Sequence, residues 1–188
     1  MAINNFIGRM LGYKLQKAPY SRPSTLLVKH LFQQKPIDVI EVGCAAANNA
    51  LDILSKLNVA KFIAVDPYEN CLSEYNDYSF KRLVWMKRKA KKRLRKFSSV
   101  IQWNQNLSNK AVREIEGHYD FIYIDGDHSF KSVYSDLTLY FPLVKQGGVI
   151  AGHDIDQKDV LDAFLKFVNE NNIVNFSIKD PDWIIIND

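Results

Sequence analysis

Two short stretches hold most of the side chains able to do chemistry. Tyr123-Ile124-Asp125-Gly126-Asp127-His128 and Gly148-Val149-Ile150-Ala151-Gly152-His153-Asp154 each run from apolar residues into aspartate and histidine. In an open α/β sheet, ligands sit beyond the carboxyl ends of the strands. Two such ends side by side gather Asp125, Asp127, His128, His153 and Asp154 around one crevice. Carboxylates and imidazoles together serve proton transfer or hold a divalent cation. A plainer role is also open to part of the set. Asp127 or Ser129 can cap a following helix, and His153 can pack against the sheet end.

A second constellation lies upstream. In Glu41-Val42-Gly43-Cys44-Ala45-Ala46-Ala47-Asn48-Asn49, Gly43 permits close backbone approach and the small residues leave room at a helix N-terminus. Asp66 ends the next apolar run, where an acid can accept hydrogen bonds from ribose hydroxyls. Each feature has a structural counterpart: tight helix–strand packing for the glycine turn, a simple turn for Asp66-Pro67. The chain has no G-x-G-x-x-G, which argues against a dinucleotide.

These residues need elements to position them, and the chain reads as apolar strands alternating with amphipathic helices. Strands are expected at about 37–42, 61–65, 100–103, 120–124 and 148–151. Helices are expected at about 24–34, 48–57, 79–96, 132–140 and 158–169, the first capped by Ser24-Thr25. Two short strands near 174–178 and 183–186 are joined by four residues, too few for a helical crossover, so they should pair antiparallel. The expected architecture is α/β and Rossmann-like. It is a doubly wound, mostly parallel seven-stranded sheet with an antiparallel C-terminal strand and helices on both faces. Residues 24–188 form one domain in this reading, preceded by an arm or short helix over 1–23.

At 188 residues with 47% apolar and 24% charged side chains, the composition is that of an ordinary globular domain. No apolar run is long enough to span a membrane. The N-terminus lacks the layout of a signal peptide, and Cys44 and Cys71 make no C-x-x-C pair, so a cytoplasmic location is expected. The net charge of +4 is unevenly placed. Residues 81–97 contain ten basic residues and no acid, leaving the remainder at 15 basic and 21 acidic, or −6. Phe80, Leu83, Val84, Ala90, Leu94 and Phe97 would form that helix's core-facing stripe. Its other faces are cationic, either a solvated surface or one that meets an anionic partner such as nucleic acid.

The glycine turn, Asp66, IDGDHSF, LYFPLVKQGGVIAGHDI and the final DWIII, in this order, resemble the class I S-adenosylmethionine-dependent methyltransferases over about residues 24–188. Within them the chain is similar to a small O-methyltransferase group, often metal-dependent, whose members act on sugars and other natural products. The resemblance implies that Glu41 to Ala47, Ala45 included, holds the methionine end of the cofactor, with Gly43 nearest its carboxylate. It implies that Asp66 binds the ribose diol, that Asn106 and Ser108 border the adenine, and that Asp125 borders the cofactor as well. Ala45 and Ala47 stand where glycines are common, which narrows the pocket, and Leu107 replaces a common acid.

Methyl transfer to a hydroxyl requires alignment and removal of a proton. A divalent cation lowers the pKa of a bound hydroxyl, and Mg²⁺ or Mn²⁺ accepts carboxylate ligands. Asp125 and Asp154 are the expected ligands, with His153 as a third. Asp127, which the resemblance places at the position of the base in some relatives, or His128, with its more suitable intrinsic pKa, would take the proton. The expected partner is a small-molecule acceptor, a sugar or an anionic compound. A nucleic-acid substrate is less favoured, because the basic helix is not accompanied by an Asn-Pro-Pro-aromatic motif. A non-catalytic binding protein that keeps the fold is the remaining alternative, and an oligomer is compatible with the sequence.

Overall fold

The computed structural model describes residues 21–68 and 79–188. Most of the arm expected over 1–23, and Cys71, lie outside these residues. In chain order the elements are α1 (Pro23–Phe32), β1 (Ile37–Val42), α2 (Asn48–Lys56), β2 (Val59–Val65) and α3 (Phe80–Arg93). There follow β3 (Ile101–Asn104), a single turn α4 (Ser108–Ala111), β4 (Tyr119–Ile124) and α5 (Phe130–Tyr140). The chain closes with β5 (Val144–Gly152), α6 (Lys158–Glu170), β6 (Phe176–Lys179) and β7 (Asp182–Ile186).

The strands form one seven-stranded sheet in the order β3-β2-β1-β4-β5-β7-β6. β1 to β5 pair in parallel, and β7 runs antiparallel to both β5 and β6. The Rossmann-like sheet expected from the sequence is therefore present, including its antiparallel close. Alternate strand residues face opposite layers. Ile40, Ile122, Ile150 and Ile185 pack with α5 and α6, through residues such as Leu137 and Phe164. Val39, Phe121, Val149 and Ile184 pack with α1, α2 and α3, through Val28, Ile53 and Ala90. Both faces are covered, which explains why the central strands are apolar without alternation.

Two local expectations are corrected. Ser24 and Thr25 do not cap α1: the helix starts at Pro23, whose fixed φ suits the first turn, with Arg22 before it. Ser24 instead points inward, where its N–H and hydroxyl bond Asp182 Oδ2 at 3.1 and 2.5 Å. Tyr123 donates to the other oxygen of this buried carboxylate at 2.9 Å, so Asp182 ties α1 and β7 to the sheet centre. In α3, Phe80 does not join the core stripe. It begins the helix and is 55% exposed, whereas Leu83, Ala90 and Leu94 are buried.

The register sets up the site. Val65, Val42, Ile124 and Gly152 are aligned across β2, β1, β4 and β5. The residues that follow them, Asp66, Gly43, Asp125 and His153, consequently leave the sheet in one row. The strand order reverses between β1 and β4, the position where such sheets open a crevice.

Candidate active site

The β1–α2 turn is held in an unusual conformation. Gly43, Ala45 and Ala47 have φ of 88°, 44° and 58°, all left-handed. Glycine takes such angles freely, whereas alanine pays about 1–2 kcal/mol per residue. Surrounding contacts fix the turn despite that strain. Asp66 Oδ2 accepts the Ala45 N–H at 2.7 Å, and Asp66 Oδ1 accepts the Tyr68 N–H at 2.9 Å. The Tyr68 hydroxyl donates to Ala45 O at 3.0 Å, and Arg93 from α3 donates to Ala46 O at 2.6 Å and to Asn48 Oδ1. Ala47 is fully buried in the layer with Val28 and Ala50, while Ala45 is exposed. Any narrowing of the crevice by the two alanines thus falls to Ala45.

Beneath the turn sits Glu41, 1% exposed, with Asn49 donating to its Oε1 at 2.9 Å and no hydrogen bond to Oε2 among the described residues. Burial pushes its pKa up to about 8, the Asn49 bond and the Cys44 thiol opposing and the charges of Asp125 and Asp66 adding to the rise. Glu41 is therefore a support under the turn, predominantly protonated at neutral pH. Burial also pushes the Cys44 thiol up, assisted by Glu41 and Asp66, which keeps it an unreactive thiol.

Gly43 joins this turn to the acidic cluster. A Cβ at Gly43 would lie 1.9 Å from Asp125 O and 2.8 Å from Gly126 N. The Asp125 N–H bonds Val42 O at 2.7 Å, and the His153 N–H bonds Ile124 O at 3.1 Å. Asp125, His128 and Asp154 then offer ligand atoms all within 4.8 Å of one another. His128 Nε2 lies 3.3 Å from Asp125 Oδ1, and its Nδ1 lies 3.1 Å from Asp154 Oδ2 and 3.1 Å from Gln157 Nε2. His153 Nδ1 is 2.8 Å from Asp154 Oδ1 and 3.8 Å from Asp125 Oδ1. Two carboxylates and an imidazole, partly exposed, suit a hard or borderline divalent cation. Asp154 has φ of 56°, a costly conformation of the kind that collects at functional sites.

The hydrogen bond that His128 donates to Asp125 holds its pKa above the ordinary imidazole value, with partial burial opposing and the charge of Asp154 adding to the rise. Asp127 Oδ1 accepts the Ser129 N–H at 2.7 Å, and Ser129 Oγ accepts the Ser132 N–H at the start of α5. Asp127 is thus held by a turn at the rim of the same cluster, and Ser129 is the helix cap.

Beyond β3, Asn106 Nδ2 donates to both oxygens of Glu114, at 3.1 and 3.0 Å, and Asn104 Nδ2 joins the same carboxylate at 3.0 Å. Ser108 O accepts the Tyr140 hydroxyl at 2.9 Å. The Ser108 side chain bonds Asp136, a buried acid on α5 whose carboxyl would be 3.7 Å from a Cβ at Gly126. Burial pushes Asp136 up to about 6, with the Ser108 bond opposing and the charge of Asp127 adding. Sequence reading passed over Asp136, Arg93 and Tyr68. The first two had a signal: Asp136 shares a stripe with Val133, Leu137 and Tyr140, and Arg93 one with Met86, Ala90 and Phe97. Tyr68 had none.

The sequence profile of a methyltransferase-domain family matches residues 40–155, a span containing both the glycine turn and the Asp/His cluster. The chain belongs to this family. Its fold is that of the class I methyltransferases. It superposes on the O-methyltransferase NovP with a TM-score of 0.63 at 12% identity, covering 87% of this chain and 78% of that one. An O-methyltransferase from Bacillus cereus, solved in complex with SAH, superposes with a TM-score of 0.62 at 12% identity over 97% and 90% of the two chains. In sequence, the chain is 30% identical over 145 residues to "Probable caffeoyl-CoA O-methyltransferase 3" of Dictyostelium discoideum. That match covers 76% of this chain, which spans about half (52%) of the length of the curated relative. No helix among the described residues is long and apolar enough to cross a membrane.

Proposed function

We propose that this methyltransferase moves the methyl group of S-adenosylmethionine to a hydroxyl oxygen of a small acceptor, a sugar or related compound, with help from Mg²⁺ or Mn²⁺. The observation that carries the reading is the contact at Gly43, which sets the cofactor turn directly against Asp125 and its cluster. Bound in the β1–β4 crevice, S-adenosylmethionine supplies a methyl carbon bonded to a positive sulfur. The acceptor oxygen forms the new C–O bond as the C–S bond breaks, leaving S-adenosylhomocysteine, a methyl ether and one proton. In this reading, Gly43 lets the amino-acid end approach the turn closely. Asp66, which accepts the Ala45 and Tyr68 N–H groups at the end of β2, meets the ribose hydroxyls. Asn106 and Ser108 border the adenine.

Asp125, His128 and Asp154 would hold the cation, which lowers the pKa of a hydroxyl bound to it. This assignment favours His128 over His153 as the imidazole ligand, because only His128 lies between both carboxylates at 3.1–3.3 Å. With His128 so engaged, Asp127 receives the acceptor proton. His153 positions Asp154 from the opposite side. The test is transfer of a labelled methyl group to a panel of sugar and phenolic hydroxyls. Turnover on a hydroxyl acceptor, lost with chelator and restored by Mg²⁺ or Mn²⁺, supports the reading. Turnover indifferent to chelation would remove the cation from it, and turnover only on amines would remove the oxygen acceptor.

A further inference from the structure

Apart from Arg93, which holds the β1–α2 turn, the basic helix α3 has no role in the site, and its charge arrangement is costly by itself. Lys81 and Arg82 lie in its first turn, where the helix dipole is positive and which itself contains no acid. Lys91, Lys92 and Arg93 at the other end are placed favourably for that dipole. Between them, Lys87/Lys91, Arg88/Lys92 and Lys89/Arg93 are like-charge i,i+4 pairs, each destabilising by a few tenths of a kcal/mol. Lys81, Trp85, Arg88 and Lys92 are all exposed and recur at intervals of four and three residues, so they share one face of α3, and Arg95, in the 3-10 turn Arg95–Phe97 beyond it, is exposed as well. From Lys81 to Lys92 that stripe runs about 17 Å at 1.5 Å per residue. None of these four cations forms an ion pair with a described residue. Trp85 is 53% exposed in the middle of the stripe, with Lys89 Nζ 4.4 Å from its ring centroid.

We propose that this face of α3 binds single-stranded nucleic acid. A line of cations tracks a phosphate backbone, and an exposed aromatic ring among them gives a base a surface on which to stack. An acidic membrane is the other polyanion such a helix commonly meets, but membrane insertion uses the helix's apolar side. Here Leu83, Ala90 and Leu94 are buried within the protein. The surface is separate from the methyl-transfer site but touches it at one point, where Arg93 grips the cofactor turn. The inference does not depend on the acceptor proposed above.

The test is fluorescence anisotropy of a labelled 12-nucleotide single strand titrated with the full chain at several salt concentrations. Binding should weaken as salt rises, because neutralised phosphates release counterions. The double variant Arg88→Glu/Lys92→Glu should lose at least about tenfold in affinity, and its log–log salt slope should fall by about 1.4, or about 0.7 per phosphate contact. Trp85→Ala should lose about tenfold and abolish the stacking-induced quench of tryptophan fluorescence. S-adenosylhomocysteine affinity should be unchanged in both variants, which separates failure here from failure of the methyl-transfer reading. An unchanged affinity and slope in the double variant, a quench that persists without Trp85, or capture by phosphatidylserine vesicles without oligonucleotide binding would each overturn the proposal.

Discussion

The missing side chain of Gly43 is filled by the backbone of Asp125: a Cβ on the first would sit 1.9 Å from the carbonyl oxygen of the second. The turn after β1 and the acid after β4 are therefore one packed unit across the reversal in strand order. Gly43→Ala should force them apart and impose a side chain at φ of 88°. The expected cost is about 3 kcal/mol or more, from overpacking plus left-handed strain. Urea unfolding measures it, and a loss below about 1 kcal/mol would show that the two strand ends are not in contact.

Ala45 offers the opposite sign. It is exposed and left-handed, so Ala45→Gly removes strain of about 1–2 kcal/mol and gives back about 0.4–1 in unfolded-chain entropy. A gain of about 0.5–1 kcal/mol in unfolding free energy is expected. Ala47→Gly should be close to neutral, because the buried methyl it deletes is worth about 0.8 kcal/mol. A clear loss at Ala45 would contradict the left-handed turn.

Glu41 and Asp136 make stability depend on pH. Their folded pKa values, about 8 and about 6, lie above the ordinary carboxylate range because both are buried. The folded state retains protons that the unfolded chain releases, so this stabilisation is complete below about pH 4. It is lost as pH rises through about 6 for Asp136 and about 8 for Glu41. Unfolding free energy should therefore decline between pH 5 and 8 by roughly 1 kcal/mol or more through these groups. Glu41→Gln should flatten the upper part of the profile and Asp136→Asn the lower, as read from urea midpoints. Profiles unchanged in both variants would contradict the assignment.

The cation site can be tested apart from turnover. Asp125→Asn, Asp154→Asn and His128→Ala should each weaken Mn²⁺ binding at least about tenfold, whereas His153→Ala should change it only a few-fold. Since Asp125 and Asp154 favour the protonated imidazole, binding must expel a proton from His128, and affinity should rise with pH through the His128 pKa. Calorimetry at pH 6 and 8 in buffers of different ionisation enthalpy reads both quantities. A pH-independent affinity would remove His128 from the ligand set.

The sheet and the row of strand ends were legible because apolar runs broken by Gly43, Asp66, Asp125 and His153 mark where each strand stops. Less was legible where long-range contacts override local pattern. Ser24 reads as a cap, yet its partner is Asp182, 158 residues away. His153 adjoins Asp154 in sequence, but the left-handed turn at Asp154 and the position of His128 near the end of the β4–α5 loop decide which imidazole lies between the carboxylates. Tyr68 supports Ala45 through a backbone conformation, φ of 46°, that a tyrosine gives no reason to expect. Asp136 and Arg93 were detectable as charges on apolar stripes, an inconsistency that points to a buried partner.

The cofactor site is tested most directly by calorimetric titration of the chain with S-adenosylhomocysteine, with and without Mn²⁺, beside the Asp66→Ala variant. Micromolar binding to the native chain and at least about tenfold weaker binding to the variant are expected, since Asp66 holds Ala45 and, in the proposed reading, meets the ribose hydroxyls. Absence of binding with or without Mn²⁺, or full affinity in the variant, would contradict the cofactor site described here.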